Sequence, residues 1–94
     1  MGKPVNSLIT LRAYLLDRKT GKIVMQRSWK NRIPMLLLVK LSAWLFSLED
    51  EYPREKYKLI VSLEGKQDER TEFLRNKFRE LGIKIVEEVI NDVV

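Results

Sequence analysis

Apolar and polar side chains alternate along residues 8–16, and this period of two predicts a β-strand. One side of the strand is apolar and holds Ile9, Leu11, Ala13 and Leu15. Residues 17–22 begin with Asp17 and include Gly21, the order expected for a type I turn followed by a left-handed residue. A second strand, from residue 23 to about 29, should pair antiparallel with the first. The N-terminal third of the chain therefore predicts a β-hairpin.

The hydrophobic pattern then changes to that of a helix over residues 34–48. Asn31 is a candidate cap and Pro34 suits the first helical turn. The run is nearly all apolar but too short for a confident membrane span. One narrow stripe departs from this composition and holds Leu36, Lys40, Ala43, Ser47 and Asp50. A helix with so little polar surface is expected to be buried on more than one side.

The C-terminal half repeats the strand-then-helix pattern. Residues 57–63 alternate like a strand, and a second helix should start near Asp68 and end at Gly82, a residue suited to a C-terminal cap. A further strand is expected over residues 83–86. The tail from residue 86 to 94 fits either a strand or a helix.

These elements predict an α+β protein with the order β-β-α-β-α-β. The expected architecture is a small mixed sheet with an N-terminal antiparallel hairpin, a C-terminal βαβ unit and two covering helices. A length of 94 residues fits a single domain, residues 1–94.

Composition narrows the chemistry. The chain has no cysteine and no histidine, so we expect no structural zinc or other metal site and no cofactor. Catalysis by a thiol or a histidine is excluded for the same reason, and an enzyme is the less favoured class of protein. The N-terminal residues lack a signal-peptide cleavage site, which predicts a cytoplasmic protein without a membrane partner. Abundant Lys, Arg and Glu would suit a thermophile.

Charge is distributed unevenly between the two halves. Residues 1–48 contain nine Lys and Arg side chains against the single carboxylate of Asp17, whereas residues 49–94 contain nine basic and twelve acidic side chains. The basic half should attract polyanions, so the leading hypothesis is a protein that binds DNA or RNA through the hairpin. Trp29 or Tyr14 could stack on bases. The candidate contact residues are Arg12, Arg18, Lys19, Lys22, Arg27, Trp29, Lys30 and Arg32.

A plainer interpretation of the same residues is also open: turn residues are usually polar, and Trp29 could belong to the core. Arg27 shares its side of the second strand with Trp29, which is awkward for a buried face. Either that side is an exposed surface or the strand ends before Arg27.

The apolar helix supports an alternative function. Its ordinary role is to cover the core, but one side could pack against a second copy of the chain or another protein, making this an accessory subunit. The residues expected on that side are Met35, Val39, Ser42 and Phe46.

Two further features of the sequence, a glycine-containing junction and the element order, bear on function. Gly65 and Lys66, between Glu64 and Asp68, could cradle a phosphate at a helix N-terminus, but the P-loop pattern is incomplete and a capped turn is favoured. The element order also resembles a trimmed ribonuclease-H-like order, which implies a divergent nuclease with carboxylate-bound Mg²⁺ as a third function. The first strand, centred on Leu11, carries no acidic residue for such a site.

Overall fold

The computed structural model describes residues 7–86. The elements are β1 (Ile9–Asp17), β2 (Ile23–Asn31), α1 (Pro34–Leu48), β3 (Tyr57–Glu64), α2 (Glu69–Glu80) and β4 (Lys84–Ile85). The predicted fold class and element order are confirmed. The tail beyond residue 86, which the sequence left open between strand and helix, lies outside the described residues.

The four strands form one sheet in the order β2-β1-β3-β4. β1 is the central antiparallel partner of both β2 and β3, while β3 and β4 run parallel, as the predicted βαβ unit requires. The register places Leu11 of β1 between Trp29 of β2 and Leu63 of β3. Because side chains alternate across a sheet, this register determines which residues of all four strands share a face.

Both helices pack on one face of the sheet. The side of β1 that the alternation predicted to be apolar is buried there, together with Val61 of β3, Leu37, Leu41 and Trp44 of α1, and Leu74 and Phe78 of α2. The molecule is therefore a two-layer α+β structure. Among residues 7–86 neither helix contributes to the core from the other face of the sheet, which we call the open face. Thr10 and Ser62 on this face are nevertheless buried.

Three boundaries differ from the predicted ones. β2 continues past residue 29 to Asn31, so the strand does not end before Arg27. Asn31 does not cap α1: the N-cap is Ile33, whose backbone N–H donates to Asn31 Oδ1 at 2.9 Å. β4 consists of Lys84–Ile85 instead of residues 83–86.

The expectation that α1 is buried on more than one side is wrong within a single chain. Only Leu37, Leu41 and Trp44 of this helix are buried, and they lie on one side of it. The opposite side is exposed although it is largely apolar.

Candidate nucleic-acid interface

The hairpin turn has the predicted geometry. Gly21 has a φ of 74°, and its N–H donates to the Asp17 carbonyl at 2.7 Å. The Asp17 carboxylate accepts from the backbone N–H groups of Lys19 at 2.8 Å and Thr20 at 3.3 Å. The single acidic side chain of the hairpin is thus used to build the turn, which leaves the neighbouring basic side chains exposed.

The eight predicted contact residues do not converge on one face. Arg12 and Lys30 lie on the open face, whereas Arg27 and Trp29 lie on the face that the helices cover. Arg32 follows β2 on the way into α1. The remaining three are exposed at the turn and are Arg18, Lys19 and Lys22.

Trp29 belongs to the core side, in line with the plainer interpretation of this residue. Its ring meets that of Trp44 edge-on, with centroids 5.6 Å apart. The Arg27 guanidinium carbon lies 6.0 Å from the centroid of Trp29. Together with Lys40 these residues line a shallow cleft between β2 and α1. Trp29 thus lies on the helix-covered side of the sheet with an aromatic neighbour at its ring, and its stacking role stays a prediction.

The open face gathers lysines that sequence reasoning did not assign to it. Lys58 on β3 pairs with Leu16 of β1, and Lys84 on β4 pairs with Ile60 of β3. Lys30, Lys58 and Lys84 are exposed. The alternation of β3 already separated Lys58 from the apolar side, but only the pairing of β3 with β1 shows that it shares a face with the hairpin.

Tyr14 is the aromatic side chain of this open face. It is half-buried and lies on the central strand, opposite Gln26 of β2 and Ile60 of β3. The open face therefore combines one aromatic ring with exposed lysines from β2, β3 and β4.

Arg12 contributes less positive charge to the open face than its position suggests. Its Nη1 donates to Glu64 Oε1 at 2.7 Å, and both side chains are partly exposed. Glu64 is the acidic side chain that the β1–β3 register places on this face, two residues along the pairing from Arg12. The carboxylate therefore neutralises the arginine.

A second group of cations lies at the hairpin turn and in the connector before β3. The Arg18 backbone N–H donates to the Lys56 carbonyl at 2.9 Å, and Arg18 Nε donates to the Arg54 carbonyl at 3.0 Å. The connector before β3 is thereby held against the hairpin. We name this group the turn cluster; it consists of Arg18, Lys19, Lys22, Arg54 and Lys56. Arg54 and Lys56 come from the half of the chain with a net negative charge, so the charge split between halves gave no signal for them.

The junction between β3 and α2 is a capped turn, as favoured from the sequence. Asp68 caps α2 by accepting from the N–H groups of Arg70 and Thr71, and the Thr71 hydroxyl accepts from the Asp68 N–H at 3.1 Å. The side-chain hydrogen bond from Arg70, aided by the backbone donors, lowers the pKa of the Asp68 carboxyl despite a smaller opposing effect of burial. With its carboxylate engaged in this way, the junction has the features of a structural turn.

Arg70 also joins three segments of the chain. Its guanidinium donates to the carbonyls of Ser7 at 2.9 Å and Arg32 at 2.7 Å while pairing with Asp68 at 3.0 Å. The start of α2 is therefore fastened to the start of β1 and to the residue before the α1 cap.

The outer side of α1 is a second candidate surface. Met35, Val39, Ser42 and Phe46 are all exposed, and the three apolar ones have exposed fractions of 52%, 55% and 79%. We call these four residues the outer stripe. Their spacing of four, three and four residues places them along one side of the helix, opposite Leu37, Leu41 and Trp44.

The nuclease alternative stays a prediction. Within residues 7–86, no group of three or more His, Cys, Asp or Glu side chains is placed to hold a metal ion. No helix in this part of the chain is both long and apolar enough to cross a membrane.

Comparison with known proteins finds no matching family model, no matching curated protein and no matching solved structure.

Proposed function

We propose that the protein binds single-stranded nucleic acid across the open face. Lysines of the open face and the turn cluster would hold phosphates, and Tyr14 would stack on a base. The observation that supports this most directly is that exposed Lys30, Lys58 and Lys84 share one face with Tyr14, on the side of the sheet away from both helices. A cationic surface that includes an aromatic ring is the usual composition of a single-strand site.

The sheet topology favours a single strand over a duplex groove. A two-stranded ribbon can enter a major groove, but β1 is paired on both sides, so the hairpin is part of a wider sheet. A broad sheet surface suits an unpaired strand, whose bases can turn toward an aromatic side chain. Stacking tolerates any base, which agrees with a chain that offers no recognisable sequence-reading motif.

The main experiment measures the affinity of the full chain for fluorescently labelled single-stranded DNA and RNA as salt is varied. Replacing Lys58 and Lys84 together by Gln should weaken binding and make the slope of log K against log salt shallower by about 1.4, since each phosphate contact on a single strand contributes about 0.7. The matched control changes Lys40 and Lys77 on the helices to Gln, which removes the same charge. If both double variants weaken binding equally, only net charge matters and the proposed site is wrong.

Two single variants on the open face are expected to change the binding affinity in opposite directions. Tyr14→Leu removes the stacking ring but keeps an apolar side chain, and it should weaken binding about tenfold or more. Glu64→Gln removes the carboxylate that pairs with Arg12 and should strengthen binding. Weaker binding by Glu64→Gln, or unchanged binding by Tyr14→Leu, would contradict the arrangement.

The same titration with duplex DNA and RNA separates the remaining possibilities. Tighter binding to single strands is expected, and equal binding to duplexes would refute the stacking component.

A further inference from the structure

We propose that the protein forms a homodimer in which α1 pairs antiparallel with α1 of a second copy through the outer stripe. The stripe consists of exposed apolar side chains together with Ser42, on a helix whose opposite side already covers the core. Exposed apolar surface of this kind is a common feature of protein interfaces. What commits the surface to a second copy is that it is complementary to itself.

The spacing of residues in the outer stripe is symmetric about a point between Val39 and Ser42. In an antiparallel pair, Met35 therefore lies opposite Phe46 of the second copy, and Val39 lies opposite Ser42 of the second copy. The outer pairs bring a thioether against an aromatic ring, which is a favourable contact. The inner pairs set a branched side chain against a small one, so the two backbones can approach closely at the crossing point.

The charges at the two ends of α1 are also complementary in this orientation. Arg32 is exposed just before the helix, and Glu49, Asp50 and Glu51 are exposed just after it. Antiparallel pairing brings the basic end of each helix beside the acidic end of the other. A parallel pair would instead place like charges together at both ends.

The helix dipole favours the same orientation. All fifteen residues of α1 are described, and they include no acidic residue in the first turn and no basic residue in the last turn. The carboxylates of Glu49 and Asp50 lie at its negative end, where they oppose the dipole. The positive N-terminal end of a second α1 would relieve that repulsion.

The oligomeric state of the full chain gives the first test. Sedimentation equilibrium should show a monomer–dimer equilibrium, and Phe46→Gln should weaken association about tenfold or more. Leu81→Gln is the matched control, because Leu81 is also an apolar residue, 66% exposed, but lies at the end of α2. A chain that stays monomeric up to about 1 mM would refute the dimer. Equal weakening of association by both variants would refute the outer stripe as the interface.

A charge swap tests the antiparallel orientation. Arg32→Glu and Glu49→Lys should each weaken association, and the double variant should recover most of the loss. Circular dichroism of each variant would show that the fold is retained. A double variant weaker than either single variant would contradict antiparallel pairing.

Cysteine cross-linking tests the proposed contact independently, since the chain has no cysteine of its own. Ser42→Cys lies near the proposed two-fold axis and should form a disulfide-linked dimer under mild oxidation. Ser47→Cys, on the same helix beside the cleft to β2, should remain largely monomeric. Equal cross-linking of both would overturn the proposal. So would binding of the wild type, but not of Phe46→Gln, to neutral-lipid vesicles without any self-association.

Discussion

The two helices of this protein differ in how they are stabilised. α2 starts with a capping box, carries Glu69 and Glu72 in its first turn and Lys77 and Arg79 in its last, and is followed after its C-cap by Gly82 with a φ of 74°. α1 has no side-chain cap at Ile33 and no matching terminal charges. α2 is therefore supported by its own sequence, whereas α1 depends on packing, which is the general situation for short helices in water. A partner that packs against α1 would therefore add more stability than one that packs against α2.

The largest expected effect comes from the inner sides of the two helices. Leu37→Ala in α1 and Leu74→Ala in α2 should each lower the free energy of unfolding by about 3 kcal/mol, because both side chains are fully buried and leave cavities. Urea unfolding at low protein concentration measures this. Phe46→Ala on the outer stripe is the control and should change the monomer by less than about 0.5 kcal/mol. A large loss of unfolding free energy in the Phe46→Ala control would show that Phe46 supports the fold of the single chain.

Removing the hydrogen bonds by which Arg70 of α2 holds the segment before α1 should have the next largest effect on stability. Arg70→Ala removes charged hydrogen bonds to the Ser7 and Arg32 carbonyls and should destabilise the protein by about 2 kcal/mol. Arg79→Ala, which removes only an exposed contact to Asn76, is the matched control. Equal unfolding midpoints for the two variants would mean that the Arg70 connection contributes nothing beyond a surface contact.

A substitution at Ile33 can give α1 the side-chain N-cap that it lacks. Ile33 is exposed and has the extended backbone of an N-cap, with φ −103° and ψ 114°, so Ile33→Ser can accept from the first free N–H groups of the helix. The variant should be more stable by about 0.5–1 kcal/mol than Ile33→Ala, which has the same backbone but no acceptor. No difference between the two in urea unfolding would indicate that the α1 terminus is already satisfied.

The smallest effect is the pH dependence of the α2 cap. The pKa of Asp68 is lower in the folded protein than its ordinary value of 3.8, so its charge stabilises the fold at neutral pH. That contribution is present above the unfolded pKa and is lost as the pH falls through the folded pKa. Asp68→Asn keeps a capping oxygen without the charge, so the gap in stability between wild type and variant should shrink from pH about 7 to pH about 3. A constant gap across this range would rule out the carboxylate charge as its cause.

Residue patterns predicted the fold well because each element carries a local signal. The alternation of β1, the turn from Asp17 to Gly21, and the caps at Asp68 and Gly82 all depend on neighbours within a few residues. The cap of α1 was misplaced because Asn31 resembles a cap in sequence while its backbone belongs to an edge strand.

The candidate nucleic-acid surface was only partly predictable, because membership of a face depends on pairing between distant strands. Lys58 and Lys84 join Arg12 on one face only through the β1–β3 and β3–β4 registers. The same registers send Arg27 and Trp29 to the opposite face. The outer stripe was predictable because all four of its residues lie on one helix with a fixed period.

The placement of both helices on one side of the sheet has a consequence for a dimer formed through α1. The two helical layers would lie in the middle, and the two open faces would point outward in opposite directions, separated by roughly 30 Å if each layer adds about 10 Å. Such a particle cannot wrap one strand on a continuous surface, but it can hold two strands together. Energy transfer between two differently labelled oligonucleotides would detect this bridging, and Phe46→Gln should bind each strand without joining them.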